Sequence, residues 1–501
     1  MEQLSNLLGG FADIMSPSAL LFVFLGALMG TAVGVLPGLG SAMAVALLLP
    51  LTFVLEPTSA LIMFTGIYFG GLFGDSIAGF LMNTPGNSTA IASTFEGHRM
   101  ALRGKAAQAL ATGAIGAFIG GMVASTLVVF FAPTLAGLAT GFGPAEFLAL
   151  AVFAFIAISA VVADSALRGI AALAIGLTLA LIGIDQPSGS PRFSFGFSPL
   201  LDGISIVVIT VSLLALGEVF SQAAKVGRAD DQQAVMPTGR WWLSKGEFRQ
   251  ALPAWLRGTA IGVPFGVIPA GGAEVPTFLA YGTERRLDRR KPEPTFGKGA
   301  IEGVAAPEAA GNATAGTAMG ALLALGLPTS ATAAILLAAF QQYGLQPGPL
   351  LLERSGEIVW ALLAGFFLAM VVLLILNLPF APLWAQLLRV PKSHLYAGIA
   401  VFAAFGVYAA GASTVDLVIM LVLGVLGLVM RLYDIPIAPV LIAVILGPLA
   451  EYSLRDAMGN SDNDPAVLVS SPITIVLYLL LIAGLVWTAW RRFAEKRAAD
   501  V

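Results

Sequence analysis

A chain of 501 residues in which 57% are hydrophobic and 11% charged, with a mean hydropathy of +0.89, excludes an ordinary soluble protein, whose charged share lies near ~25%. Its formal net charge of −3 gives no footprint for nucleic acid, and the absence of cysteine excludes disulfides, thiolate metal sites and cysteine nucleophiles. What remains is an all-α polytopic membrane protein embedded in a lipid bilayer.

The N-terminus, MEQLSNLLGGFADIMSPS, lacks the basic flank and cleavage pattern of a secretory signal, so the first apolar segment is expected to stay in the mature protein. Apolar stretches near the ~20 residues that cross a bilayer then recur from end to end. In the first half they fall at 18–36, 41–55, 58–73, 106–131, 145–162, 166–184 and 201–220, with an irregular apolar piece at 75–95. In the second half they fall at 251–268, 272–282, 300–326, 329–343, 357–376, 395–412, 415–430, 437–450 and 471–490. Several are too short or too rich in Gly and Pro to cross as plain helices, which marks them as broken helices or re-entrant hairpins.

The chief interruption is GVLPGLGSA, Gly34–Ala42, and a changed copy, GVIPAGGAE, stands at Gly266–Glu274. In hydrocarbon an unpaired backbone N–H or C=O costs several kcal/mol, so such breaks persist only where protein or a water-filled cavity satisfies the backbone. One break alone is as readily a Pro kink or a tight turn. Its return in the second half favours a binding site.

Lys and Arg are retained on the cytoplasmic side. Basic clusters at Arg99, Arg103 and Lys105, at Lys225 to Arg249, at Arg285 to Lys298, at Arg389 with Lys392, and at Arg491 to Arg497 therefore read as cytoplasmic loops. The basic-poor segments at Glu2 to Asp13, Asp185 to Asp202, Glu353 to Glu357 and Glu451 to Asp464 read as outside. On that assignment the halves enter the membrane from opposite sides, as two inverted-topology repeats of the kind secondary transporters use. The expected organisation is an N-terminal segment (1–17), a first repeat (18–221), a cytoplasmic linker (222–250), a second repeat (251–451), a periplasmic loop (452–470) and one extra C-terminal transmembrane helix with a basic tail (471–501). Two more internal matches support the repeat: GDSIAG (Gly74–Gly79) with GNATAG (Gly311–Gly316), and NTPGNSTA (Asn83–Ala90) with GLPTSATA (Gly326–Ala333).

At a helix start, Pro followed by small polar residues presents free N–H groups and the positive end of the helix dipole, which suits a carboxylate anion. Asn83, Thr84, Gly86, Asn87 and Ser88 from one half, with Thr329, Ser330 and Thr332 from the other, form the expected substrate-contacting set. Each alone is equally well an N-cap or turn residue. Acidic residues at membrane depth are functional candidates because a central charge costs at least ~2.5 kcal/mol there; Asp75, Glu274 and Glu308 qualify. The expected cation-coupling set is Asp75, Ser76, Asn312 and Glu308 with Gly38 and Gly40 of the first break, offering oxygen ligands of the kind Na+ takes, or a proton relay at Asp75. Glu308 reads equally as a helix-end carboxylate near the basic loop, and Glu302 as interfacial. His98 and His394 fall in the assigned cytoplasmic loops and suit neither metal binding nor chemistry at membrane depth.

Taken together, GVLPGLGSAMAVALLLPLTF (Gly34–Phe53), LMNTPGNST (Leu81–Thr89), FGKGAIEGVAAPEAAGNATAG (Phe296–Gly316), LGLPTSAT (Leu325–Thr332) and GLQPGPLL (Gly344–Leu351) give a chain that resembles the large membrane subunit of the tripartite tricarboxylate transporters, a bacterial family. The resemblance covers nearly the whole chain. It implies a multi-pass protein of the inner membrane, a small transmembrane subunit of about four spans as partner, and a periplasmic solute-binding protein that delivers a di- or tricarboxylate. It also implies uptake with Na+ or H+, and no cofactor beyond that coupling ion. Two positions depart from the family pattern: Asp75 stands where Gly is commoner, and Thr329 where Gly often follows the Pro. The alternatives are a self-sufficient organic-anion carrier, an intramembrane enzyme and a docking scaffold. An enzyme is disfavoured by the lack of Cys, of His in a span and of a Ser with a base at depth, and a scaffold by the paired polar breaks.

Overall fold

The computed structural model describes residues 2–162, 165–185, 188–224, 234–237, 240–268 and 272–499. It is 78% helix and 1% strand. The first half comprises α1 (Glu2–Ile14), α2 (Pro17–Gly34), α3 (Ser41–Leu48), α4 (Pro57–Met82), α5 (Ile91–Met100) and α6 (Ala106–Ala139). It continues with α7 (Pro144–Val162), α8 (Ala166–Ala180), α9 (Ile206–Val211) and α10 (Gly217–Ala224), the last two joined by the π-helical turn Ser212–Leu216. The second half comprises α11 (Lys245–Val267), α12 (Glu274–Asp288), α13 (Glu302–Leu325), α14 (Ala331–Gln342), α15 (Leu351–Arg354) and α16 (Gly356–Asn377). It closes with α17 (Ala381–Leu387), α18 (Lys392–Gly411), α19 (Thr414–Leu432), α20 (Ile437–Gly459) and α21 (Pro472–Ala499). Among the described residues eight helical stretches are long and apolar enough to cross a membrane.

Two helices form the axis of the protein. Every residue of α4 from Ala60 to Met82 and of α13 from Glu302 to Ala324 is buried. Such all-round burial needs small residues on the contact faces, and the neighbours supply them. Helix α2 lies along α4 through Gly26, Gly30 and Gly34, where an added methyl group would stand 2.2, 2.4 and 2.4 Å from the carbonyl oxygens of Met63, Ile67 and Gly71. Helix α11 lies along α13 through Gly258, Gly262 and Gly266, with the carbonyls of Ala306, Ala310 and Thr314 at 2.1, 2.2 and 2.3 Å. Around this axis the contacts alternate: α6 packs on α13 and α16 on α4, while α7 and α8 pack on α20 and α18 and α19 pack on the bent helix built from α9 and α10.

The two central helices end alike. Helix α4 stops at Asn83 with φ 55°, and α13 at Gly326 with φ 70°, each in the left-handed conformation that closes a helix. The carbonyls freed by the π-helical turn are also satisfied: Arg431 on α19 donates to Leu213 O at 2.8 Å and Leu214 O at 3.0 Å, and pairs with Glu218 at 3.0 Å. At one end of the molecule a short hairpin, Gly183–Ile184 against Pro191–Arg192, carries Asp185 into ion pairs with Arg192 and Arg455, the latter at 3.0 Å.

Several expectations are corrected. The irregular piece at 75–95 is the end of α4, a break at residues 83–87, and a new helix that opens on the 3-10 turn Ser88–Ala90. Arg99 lies in α5, and Arg103 and Lys105 flank Gly104, whose non-helical backbone (φ 75°) separates α5 from α6, so the expected loop is a tight kink between two helices. His98 and His394 are accordingly helical too, and His98 Nδ1 lies 2.9 Å from Phe80 O. Helix α20 runs on through Gly459, so residues 452–459 of the expected loop are helix. Pro269–Gly271 of the second break, and residues 225–233 and 238–239 of the linker with Lys225 and Arg228, lie outside the described residues.

Candidate functional site

The breaks meet at one cavity of about 220 Å³, lined by the starts of four helical segments. These are Ser41 and Ala42 of α3, Asn87, Ser88 and Thr89 ahead of α5, Gly272, Ala273 and Glu274 of α12, and Ser330, Ala331 and Thr332 of α14. Tyr68 and Leu72 of α4 with Thr314, Ala315 and Ala318 of α13 form the walls. The volume is below the ~300–1,000 Å³ of a drug-sized pocket and suits a small metabolite.

Local sequence explains why four starts converge. After each left-handed cap a Pro, Pro85 or Pro328, turns the chain back, and two residues later Asn87 or Ser330 caps a new helix. Asn87 caps Ser88 N with its own side-chain oxygen at 2.9 Å, and Ser330 caps Ala333 N at 3.2 Å. Helices α3 and α12 start on Gly40 and Ala273, which supply no side-chain cap. Hydroxyls tie the starts together across the two halves: Ser41 Oγ lies 3.2 Å from Thr332 Oγ1, Asn87 Nδ2 donates to Ser41 Oγ at 3.4 Å, and Ser88 Oγ donates to Glu274 Oε1 at 2.6 Å. Each helix start carries about half a positive elementary charge, and no described Lys, Arg or His lines the cavity. What the cavity offers a ligand is backbone dipoles and hydroxyls.

Of the expected substrate set, Asn87, Ser88, Ser330 and Thr332 line the cavity. Asn83, Thr84, Gly86 and Thr329 do not. Asn83 is the α4 cap, and Gly86 packs so closely that a methyl group on it would lie 2.8 Å from Asp75 Oδ1. Thr84 and Thr329 have buried hydroxyls with no partner among the described residues. Ser41, Thr89 and Tyr68 were missed. Ser41 stands within GVLPGLGSA, and its position as the first residue after the break was the signal that would have found it.

The expected cation set divides into separate places. Asp75, 1% exposed, turns toward the break at residues 83–87, where its Oδ1 accepts from Asn87 N at 2.8 Å and its Oδ2 is buried without a described partner. Ser76, Glu308 and Asn312 gather on another face around a second cavity of about 10 Å³, room for one water, which shares Leu72 and Thr89 with the larger one. Glu308 Oε1 accepts from Ser76 Oγ at 2.6 Å and Ser93 Oγ at 2.5 Å, and Asn312 Oδ1 is buried without a described partner. Glu308 is thus not a helix-end carboxylate of the basic loop. That place is taken by Glu302, paired with Lys291 at 2.6 Å, and by Glu96 on α5, which accepts from Gly297 N, Gly299 N and Ala300 N at 2.7, 2.7 and 2.9 Å. Gly38, with φ 81°, faces Glu218, and Gly40 abuts Gly86 and Asn87. Asn312 is not the spatial counterpart of Asp75: Gly71 and Thr314 hold matching places against Gly34 and Gly266, and this register sets Ala318 opposite Asp75. No group of three His, Cys, Asp or Glu able to hold a metal occurs among the described residues.

The family described as tripartite tricarboxylate transporter TctA family matches residues 20–442. A protein of Agrobacterium vitis, described as an uncharacterized 52.8 kDa protein in the TAR-I ttuC' 3' region, is 38% identical over 497 residues, covering 99% of this chain and 98% of its own. A second from the same organism, described as an uncharacterized protein in the TAR-II ttuC' 3' region, is 38% identical over 212 residues, 42% of this chain and 87% of that protein. No solved structure matches.

Proposed function

Because the chain belongs to the tripartite tricarboxylate transporter TctA family, we propose that it is the large inner-membrane subunit of a binding-protein-dependent secondary transporter, which imports di- or tricarboxylates by Na+ or H+ symport with a small transmembrane partner. The observation that carries this reading is the convergence of four helix starts and their hydroxyls on one cavity without a basic side chain. Such a site grips carboxylates through dipoles and leaves no fixed cation to trap them. The halves are read as inverted repeats: α2 to α4 correspond to α11 to α13, and the equivalent contacts made by their glycines support the pairing.

Coupling follows from charge. Moving a dicarboxylate inward against 100 mV, inside negative, costs ~4.6 kcal/mol and a tricarboxylate ~7, so co-transported cations must outweigh the anion's charge. Ser76, Glu308 and Asn312, one residue layer from the substrate cavity, are the proposed cation site, with Asp75 as a second carboxylate at the break at residues 83–87.

The test is uptake of labelled di- and tricarboxylates into proteoliposomes holding this chain with its small partner, under imposed Na+ or H+ gradients, with and without the binding protein. Uptake that needs a cation gradient and the binding protein supports the tripartite reading. Uptake without the binding protein would favour a self-sufficient carrier, and no carboxylate movement under any gradient would overturn the substrate class.

A further inference from the structure

Apart from Tyr68, Glu274 is the one ionisable side chain among the residues lining the anion cavity. Its Oε1 is held by Ser88 Oγ at 2.6 Å, across the two halves. Its Oε2 is buried with no described partner, and it lies over Gly272, where a methyl group would come within 2.9 Å of it and 3.5 Å of Ser330 Cβ. An ionised carboxylate there opposes the cavity's own purpose, since two like charges a few ångströms apart at low dielectric repel by several kcal/mol. A proton resolves the conflict: the neutral acid keeps the Ser88 bond at Oε1 and turns Oε2–H from a repelling acceptor into a donor toward a substrate carboxylate.

We propose that Glu274 takes up one proton together with each substrate anion and releases it with the substrate on the other side, so that the anion site itself carries a coupling proton. The proton comes from the aqueous side to which the cavity is open, and no covalent bond to substrate forms. The inference rests on reading the cavity as the carboxylate site, and it gives Glu274 a role separate from the cation site at Glu308.

The experiment uses the full complex with labelled succinate and citrate as probes, above pH ~8, where the ligands' own carboxyls are essentially ionised. Wild-type complex in weak buffer is expected to take up close to one proton per bound anion, and its apparent affinity to fall about tenfold per pH unit. In Glu274→Gln, the pH slope of binding and the proton uptake per bound anion vanish, whatever affinity and exchange rate the variant retains. Accumulation driven by a pH gradient falls with them. Binding by the wild type without proton uptake overturns the inference and leaves the transport reading standing, as does a Glu274→Gln complex that keeps the slope. Failure of both probes to bind the wild type overturns the carboxylate site and this inference together. Because proton uptake is read on the wild type, the inference remains exposed to failure even if the variant does not assemble.

Discussion

Asp75 uses one carboxylate oxygen for structure and leaves the other unpartnered among the described residues. Its Oδ1 holds the amide of Asn87 at 2.8 Å, fixing the turn at residues 83–87, while its Oδ2 has no partner among the described residues. Asparagine can keep that bond. Asp75→Asn is therefore expected to stay within about 1 kcal/mol of wild-type stability, whereas Asp75→Ala leaves a buried amide unpaired and loses roughly 1–3 kcal/mol. Thermal unfolding of the detergent-purified complex separates the two, and equal losses would show that the bond to Asn87 contributes nothing. At this scale the sequence was legible in residue type more than in direction. Asn87, Ser88, Ser330 and Thr332 were found because Pro followed by small polar residues forces a new helix start, and all four line the cavity. Thr84 and Thr329 have the same chemistry, yet they precede the first helical turn and point elsewhere. Side-chain direction depends on where the turn begins, which composition does not encode.

Helices α2 and α11 bring their glycines so close to α4 and α13 that backbone meets backbone, and this contact sets the positions of the breaks. Gly262→Ala would place its methyl 2.2 Å from Ala310 O, with rigid helix on both sides, and is expected to cost roughly 1–3 kcal/mol. Gly398 on α18 has nothing within 4 Å of the same position, so Gly398→Ala is expected to be neutral or to stabilise by up to about 1 kcal/mol. A thermal shift of equal sign in the two variants would contradict the close-packed seam. The loop that follows α12 is held differently, by acids on backbone amides. Burial pushes the Asp288 carboxyl up, but hydrogen bonds from Phe296 N and Thr295 N at 2.9 and 2.7 Å and from the Lys291 ammonium hold it below the ordinary aspartate range. Its contribution is full above the ordinary aspartate pKa and is lost as pH falls through the lowered one. Proteolysis at 289–299 should therefore stay slow until acid pH, and Asp288→Asn should be cut faster at neutral pH with a flatter acid response. Span existence was legible along most of the chain from hydropathy. The π-helical turn at Ser212–Leu216 was not, because local sequence there is ordinary helix former and its freed carbonyls are satisfied by Arg431, over 200 residues away.

For the whole molecule, if the two broken motifs mark a repeat, the helix contacts pair its halves in a different register from the short strings. Matching GDSIAG to GNATAG aligns Asp75 with Asn312, whereas the equivalent contacts of Gly34 on Gly71 and of Gly266 on Thr314, and the matching caps at Asn83 and Gly326, align residues 243 apart in α4 and α13. Short glycine-rich strings match in several registers, and only packing chooses among them. The corrected register makes the orientation prediction sharper, because an inverted pair must place the equivalent ends of α4 and α13 on opposite sides. The basic segment Arg285 to Lys298 leads into the start of α13, and the acidic Glu56 leads into the start of α4. Retention of Lys and Arg in the cytoplasm then puts the start of α13 inside and that of α4 outside. A reporter fused after Arg290 should read as cytoplasmic and one after Asp462 as periplasmic, while an accessible tag between α3 and α4 should label from outside the cell. If the tag and the Arg290 reporter fell on the same side, α4 and α13 would run parallel. The two halves would then not be inverted, and the four helix starts would have to reach one cavity by some route other than a two-fold axis in the membrane plane.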